Sequence, residues 1–153
     1  LRDNPGGNLD TVCDILDLIL PEGTIVSTKD KNGEGETYTS DEEHKLEIPL
    51  SVLTNGNSAS ASEIFAGAVQ DYGVGTLVGT TTFGKGIVQQ IFPLTDGTSI
   101  KLTISEYFTP KGRNIHGTGI DPDVEVEYEY NEEDPAADNQ LEKAIEIVKG
   151  NGM

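Results

Sequence analysis

The sequence is poor in several residue types, and each shortage closes off a class of function. A single cysteine, Cys13, excludes an internal disulfide and a cysteine-rich metal site. The only histidines are His44, in an acidic stretch, and His116, in a glycine-rich loop. Neither stands in a serine–histidine motif, and two histidines without clustered cysteines make a poor zinc site. Basic residues are scarce, 10 against 27 acidic ones, for a formal charge of −17. Nucleic acid and an anionic membrane would both be repelled. No apolar run approaches the ~18–20 residues that cross a bilayer, and no secretory leader is visible. The chain opens on Leu1 rather than methionine, at the expected edge of a strand, so it reads as an N-terminally truncated fragment. Missing targeting segments therefore exclude nothing. A length of 153 residues suits one domain.

What is present alternates between two periodicities. Leu9, Val12, Cys13, Leu16, Ile19 and Leu20 recur at 3–4 spacing and predict a helix over 8–20, stopped by Pro21. Residues 24–27 and 37–39 predict the arms of a hairpin around the Gly- and charge-rich turn 30–36. An apolar strand is expected over 48–54 and a helix over 59–72, with Ala61, Ile64, Phe65, Ala68 and Val69 as its buried stripe and Gly73 after its end. Residues 76–79 and 87–92 predict buried strands. Asp96-Gly97 signals a turn into a long strand over 99–108. A glycine-rich loop follows over 112–122. Val124, Val126, Tyr128 and Tyr130 alternate with glutamates and predict an edge strand with an acidic outer face. Residues 131–138 read as an acidic linker. A final helix is expected over 140–148 with Leu141, Ala144, Ile145 and Val148 inward, and 150–153 are expected to fray. The linker and helix over 131–153 are read as part of the same domain. Strands and helices in this order point to an α/β fold.

Two segments carry chemistry. In Asn55-Gly-Asn-Ser-Ala-Ser-Ala-Ser-Glu63 a run of small residues places Ser60 where a helix begins. Lys85 follows 25 residues later, inside Thr82-Phe-Gly-Lys-Gly-Ile-Val-Gln89. A serine hydroxyl is a poor nucleophile without a base, and a lysine can be that base only when neutral, a form that burial favours. Phe83, Ile87 and Val88 are apolar neighbours of the right kind, and no acidic residue lies within three positions of Lys85. The amide of Ala61, at the positive helix end, could point at a developing oxyanion. Gly6 or Gly7, in a tight turn, could supply a second amide. Ser58 or Ser62 could be ordinary helix caps, with Glu63 supporting the first turn. Gln89 lies four residues after Lys85, and on a strand such residues share a face. A rival motif fails: Gly79 to Lys85 fits a phosphate loop, but Gly86 stands where Ser or Thr must bind magnesium, and a strand rather than a helix follows.

These two segments, with Leu1-Arg-Asp-Asn-Pro-Gly-Gly7 and Gly117-Thr-Gly-Ile-Asp-Pro-Asp-Val124, resemble the C-terminal processing (tail-specific) peptidases, a family of serine–lysine proteases. The four motifs stand in the family's order and span nearly the whole chain. The resemblance implies a crotonase- or ClpP-like α/β fold, a twisted sheet with flanking helices. It implies Ser60 as nucleophile, Lys85 as general base, Gln89 orienting the lysine, and an oxyanion hole from the amides of Ala61 and of Gly6 or Gly7. Asp71 matches a family aspartate with a structural role, tying a loop or capping a helix. The implied activity is endoproteolysis near the C-terminus of protein substrates. No metal or cofactor is expected. The implied whole protein works outside the cytoplasm, carries a PDZ domain that is absent here, and could self-associate; the fragment alone could be inactive. The alternative is a non-catalytic peptide-binding or scaffolding domain on the same fold.

Overall fold

The computed structural model describes residues 1–43 and 45–151. A loop over residues 1–7 leads into helix α1, Leu9–Asp17. The side chain of Asn8 accepts a hydrogen bond from Thr11 N, satisfying one of the N–H groups that a helix start leaves without partners. Val12, Cys13 and Leu16 are buried on the predicted stripe. The helix ends at Asp17 rather than at residue 20, and Leu20 reaches the core from the turn that follows. Strands β1 (Gly23–Lys29) and β2 (Thr37–Ser40) form the expected hairpin. Strand β3 is Ser51–Thr54, shorter than predicted because Ile48 lies exposed outside it. Helix α2 (Ala61–Tyr72) and strand β4 (Thr76–Gly79) follow. Then come β5 (Ile87–Pro93), β6 (Ser99–Phe108), β7 (Val124–Glu125) and helix α3 (Asn139–Asn151). The predicted fraying of 150–153 does not hold for Gly150 and Asn151, which end α3; Gly152, Met153 and His44 lie outside the described residues.

The α/β class is the one expected, with the strands divided between two sheets. One is antiparallel, in the order β2-β1-β6-β5. The other is parallel, in the order β3-β4-β7. Helix α2 connects β3 to β4 and is buried on nearly every side, from Ala61 to Ile64 and from Ala66 to Val69. The expected stripe is therefore part of a wider contact. Small residues make it possible: a Cβ on Gly67 would lie 2.8 Å from Thr109 Cγ2, so the helix presses directly on the segment after β6. Leu16, Leu20, Ile25, Val26, Val69, Leu77 and Ile120 fill the space between α1, α2 and the strands.

Three expectations fail for identifiable reasons. Strand β5 is not buried: only Ile87 and Val88 are half-covered, and Ile91 and Phe92 are exposed. Strand β1 pairs with only the last part of β6, so the β5–β6 hairpin projects beyond its neighbours. The edge strand after residue 123 is short. Its ladder gives way to side chains from the start of α3, where Gln140 Nε2 donates to Val126 O and Asn139 Nδ2 donates to Glu127 O. Helix α3 is also rotated from its apolar pattern. Leu141 and Ile145 are exposed, while Gln140 (2% exposed) and Ala144 face inward toward β3 and β4. The buried Gln140 amide is satisfied at both ends, since its Oε1 accepts from Arg2 Nη1. That pairing outweighs the burial of a leucine. Gln140→Ala is therefore expected to cost about 1–3 kcal/mol in urea unfolding, and Leu141→Ala less than half as much. The reverse order would mean that α3 packs by its apolar stripe.

Candidate active site

The parallel sheet positions both candidate segments. The serine loop leaves the C-terminal end of β3 and the lysine loop leaves that of the adjacent β4, the edge where open α/β sheets place their sites. The serine loop is then stitched to residues 1–7. Asn55 Oδ1 accepts from Asp3 N, and Asp3 Oδ1 accepts from the side-chain amides of Asn55 and Asn57. These bonds hold the Asp3 carboxyl below its usual range. Ala59 N and Ser62 Oγ both donate to Asn4 O.

These contacts separate the three serines. Ser58 is fully buried, accepts from Asn55 N and donates to Leu1 O at 2.8 Å. Ser62 is buried and donates to Asn4 O at 3.0 Å. Both are committed to holding the loops together. Ser60 is half-buried and faces a cavity of about 250 Å³. Its backbone sits at φ 58°, ψ −118°, a region that costs a residue with a Cβ about 1–3 kcal/mol.

Two side chains hold Ser60 there, and the same two hold Lys85. Glu63 is fully buried (0% exposed). Its Oε2 accepts from Ser60 N at 2.9 Å and from Lys85 N at 2.8 Å. Its Oε1 accepts from Thr82 Oγ1 at 2.6 Å and from Gly84 N at 2.7 Å. Tyr107, on β6, works from the carbonyl side: its hydroxyl lies within hydrogen-bond distance of both Ser60 O and Lys85 O. Burial, and then the Glu63 charge, push the Tyr107 phenol above its ordinary value, so it remains a proton donor. The lysine loop is held from behind as well. Thr82 Oγ1 accepts from Ile120 N, and Gly84 O accepts from Gly117 N. Gly84 sits at φ +88°, and a Cβ there would lie 2.9 Å from Gly119 N. Glycine is required because two backbones meet.

The Ser60 cavity is also lined by Gly7, Ala61, Lys85 and Gln89, so it gathers one candidate for every expected role. Gly6 does not line it. Its N–H donates to Asn4 Oδ1, and at φ +97° it packs so closely that a Cβ would lie 2.8 Å from Ala61 N. Among the described residues, the N–H groups of Gly7 and Ala61 have no acceptor in the protein. Phe83 does not shelter Lys85, since it is 64% exposed and turned outward. Gln89 lines the same cavity as Lys85, but its amide meets another partner. Lys85 precedes β5, a bulge separates Val88 from Gln89, and Gln89 Nε2 donates to Thr103 Oγ1 at 3.5 Å. Gln90 is exposed as expected, and so is Gln89. Asp71 accepts from Lys111 N and pairs with Arg113, tying α2 to the loop after β6. His116 is exposed beside the lysine loop. Among the described residues no cluster of His, Cys, Asp or Glu could hold a metal.

Sequence reasoning missed the roles of Glu63 and Tyr107. The capping pattern was visible at Glu63, but its reach to a loop 22 residues on was not. Tyr107 reads as one more core residue of an alternating strand. Glu63→Gln would aim an NH2 group at backbone donors and is expected to cost about 1–3 kcal/mol. In native-state hydrogen exchange the amides of Ser60 and Lys85 should lose protection together. Independent loss would show that the two loops are not coupled through this carboxylate.

The sequence profile described as peptidase family S41 matches residues 1–126. A carboxyl-terminal-processing protease from a Synechocystis species is 46% identical over 98% of this chain and 36% of its own length. Carboxy-terminal processing protease CtpB of Bacillus subtilis is 42% identical over 82% of this chain and 26% of its own. The chain thus spans about a third of the length of such relatives. Among solved structures, a photosystem II D1 C-terminal processing protease superimposes with a TM-score of 0.78 at 33% identity, over 96% of this chain and 37% of that one. A putative peptidase from Parabacteroides merdae shares the fold at 24% identity, with a TM-score of 0.77, over 99% of this chain and 51% of that one. With 126 of its residues matched and its sheets, helices and loops shared, the chain belongs to peptidase family S41.

Proposed function

We propose that the chain forms the catalytic core of a serine endopeptidase that cleaves protein substrates near their C-terminus with a Ser60–Lys85 dyad. The observation that carries this reading is that Ser60 and Lys85 line one cavity while Glu63 and Tyr107 fix both backbones. Their relative position is then set by buried hydrogen bonds rather than by two independent loops, which is the preorganisation that catalysis needs.

In this mechanism Ser60 Oγ attacks the carbonyl carbon of the scissile peptide as neutral Lys85 Nζ takes its proton. The tetrahedral oxyanion accepts hydrogen bonds from the N–H groups of Ala61 and Gly7, the two unengaged amides beside the cavity. The Gly6 N–H is already spent on Asn4, so Gly7 is the donor of the pair. Lys85 returns the proton to the leaving amine. Water, deprotonated by Lys85, then releases the acyl group from Ser60. Gln89 orients the lysine or the incoming peptide from the rim. The names of the relatives support a C-terminal site of cleavage. The same reading places the whole protein outside the cytoplasm, with a PDZ domain that captures the substrate tail.

Cleavage of a C-terminally tailed protein by the full-length protein tests this. Ser60→Ala and Lys85→Ala should each lower kcat by at least about a thousandfold. Lys85→Arg should not restore it, because a guanidinium stays protonated. Gly7→Pro, which removes one amide, should cost about a hundredfold to a thousandfold. Unchanged cleavage in Ser60→Ala would leave a peptide-binding scaffold as the better account.

A further inference from the structure

The cavity beside Ser60 holds a second lysine. The basic side chains on its wall are Lys85 and Lys101, and no carboxylate lines it. That is an unusual patch in a chain with 27 acidic and 10 basic residues. An exposed lysine on a strand ordinarily serves solubility and protects an edge. Lys101 differs in its surroundings. On β6 it shares a face with Thr103, and across the hairpin it stands opposite Ile91, as Thr103 stands opposite Gln89. The contact from Gln89 Nε2 to Thr103 Oγ1 shows that these side chains meet on that face. The polar groups running away from Ser60 are thus an amide, a hydroxyl and an ammonium. Among the described residues, the cations in ion pairs are Arg2, Lys45, Arg113 and Lys143, and Lys101 is in none of these pairs.

We propose that Lys101 is the anchor of an anion subsite of the Ser60 cavity, which takes a carboxylate of the bound peptide; the proposal rests on the peptidase reading above. Ser60, Lys101 and Tyr107, whose hydroxyl meets Ser60 O, line one cavity of about 250 Å³. An extended peptide with its scissile carbonyl at Ser60 therefore brings a group within a few residues of that bond to the ammonium. The net charge of −17 would otherwise repel an acidic substrate, and one cation inside the cavity reverses that locally. Two sources supply the same chemistry: the terminal α-carboxylate of the substrate, or a Glu or Asp side chain at that distance.

Matched peptides separate them. One pair ends in a free acid or a carboxamide, and the other carries Glu or Gln in turn at each of the few positions next to the cleaved bond. For the full-length protein, kcat/KM should favour the carboxylate of at least one pair by about threefold to tenfold at low salt, and the ratio should fall as salt rises. Lys101→Met should bring the ratio to about one, and Lys101→Glu should invert it. Lys101 is exposed, so both variants should keep the parent thermal transition. The same peptides, fluorescently labelled, are titrated against Ser60→Ala and Ser60→Ala/Lys101→Met. A carboxylate preference in binding that disappears with Lys101 supports the subsite even if cleavage proves independent of Ser60. Cleavage that requires Ser60, with a peptide ratio untouched by Lys101→Met, overturns the subsite and leaves the peptidase reading standing.

Discussion

The structure of the site depends on one buried carboxylate. Glu63 enters the core at the first turn of α2 and spends both oxygens on four donors: the amides of Gly84 and Lys85, the Thr82 hydroxyl, and the amide of Ser60. A charged group with no exposure is costly unless every lone pair is used, and here the donors come from two separate loops. The cost of burial thus becomes a geometric constraint. If the lysine loop moved away, the carboxylate would lose three of its partners at once. Tyr107 closes the arrangement from the other side by meeting the carbonyls of the same two residues. Ser60 therefore has its strained φ and ψ pinned at both flanking peptide groups.

Other features extend this constraint outward. Parallel strands β3 and β4 end at the same edge and release the two loops side by side. Asn4 and Asn55 bind the loop of residues 1–7 to the serine loop, which brings Gly7 to the cavity and fixes Gly6 behind Ala61. Ile120 N and Gly117 N hold the lysine loop against the glycine-rich segment. Asp71 anchors the same region to the end of α2 through Lys111 N and Arg113. All four sequence motifs therefore converge on a single set of hydrogen bonds.

Much of this was legible in the residues. The small-residue run before a helix pointed to Ser60, and the glycine-flanked lysine pointed to Lys85, because both patterns are local. The contacts that occupy the Ser58 and Ser62 hydroxyls are not local: they run to Leu1 and Asn4, more than fifty residues away in sequence. What occupies the Gly6 amide is likewise one side-chain bond, from Gly6 N to Asn4 Oδ1, that no local pattern announces. Alternation put Gln89 on the side of Lys85 and the two line one cavity, but the Gln89 amide meets Thr103 across the hairpin, a contact between distant residues. Apolar content misled at Phe83, Ile91 and α3, because hydrophobicity reports a tendency to be covered and not which neighbour covers it. Gln140 took the inward place because Arg2 and Val126 satisfy its amide.

The central claim is that Ser60 and Lys85 form one reactive unit held by Glu63. A crystal structure of the protein trapped by a peptide boronate or chloromethyl ketone tests it most directly. The account predicts a covalent bond to Ser60 Oγ and Lys85 Nζ about 2.6–3.2 Å from that oxygen. It also predicts that the oxygen standing in for the oxyanion lies within hydrogen-bond reach of Gly7 N and Ala61 N. A label on another residue, or Lys85 turned out of the cavity with its loop still bound to Glu63, would contradict it.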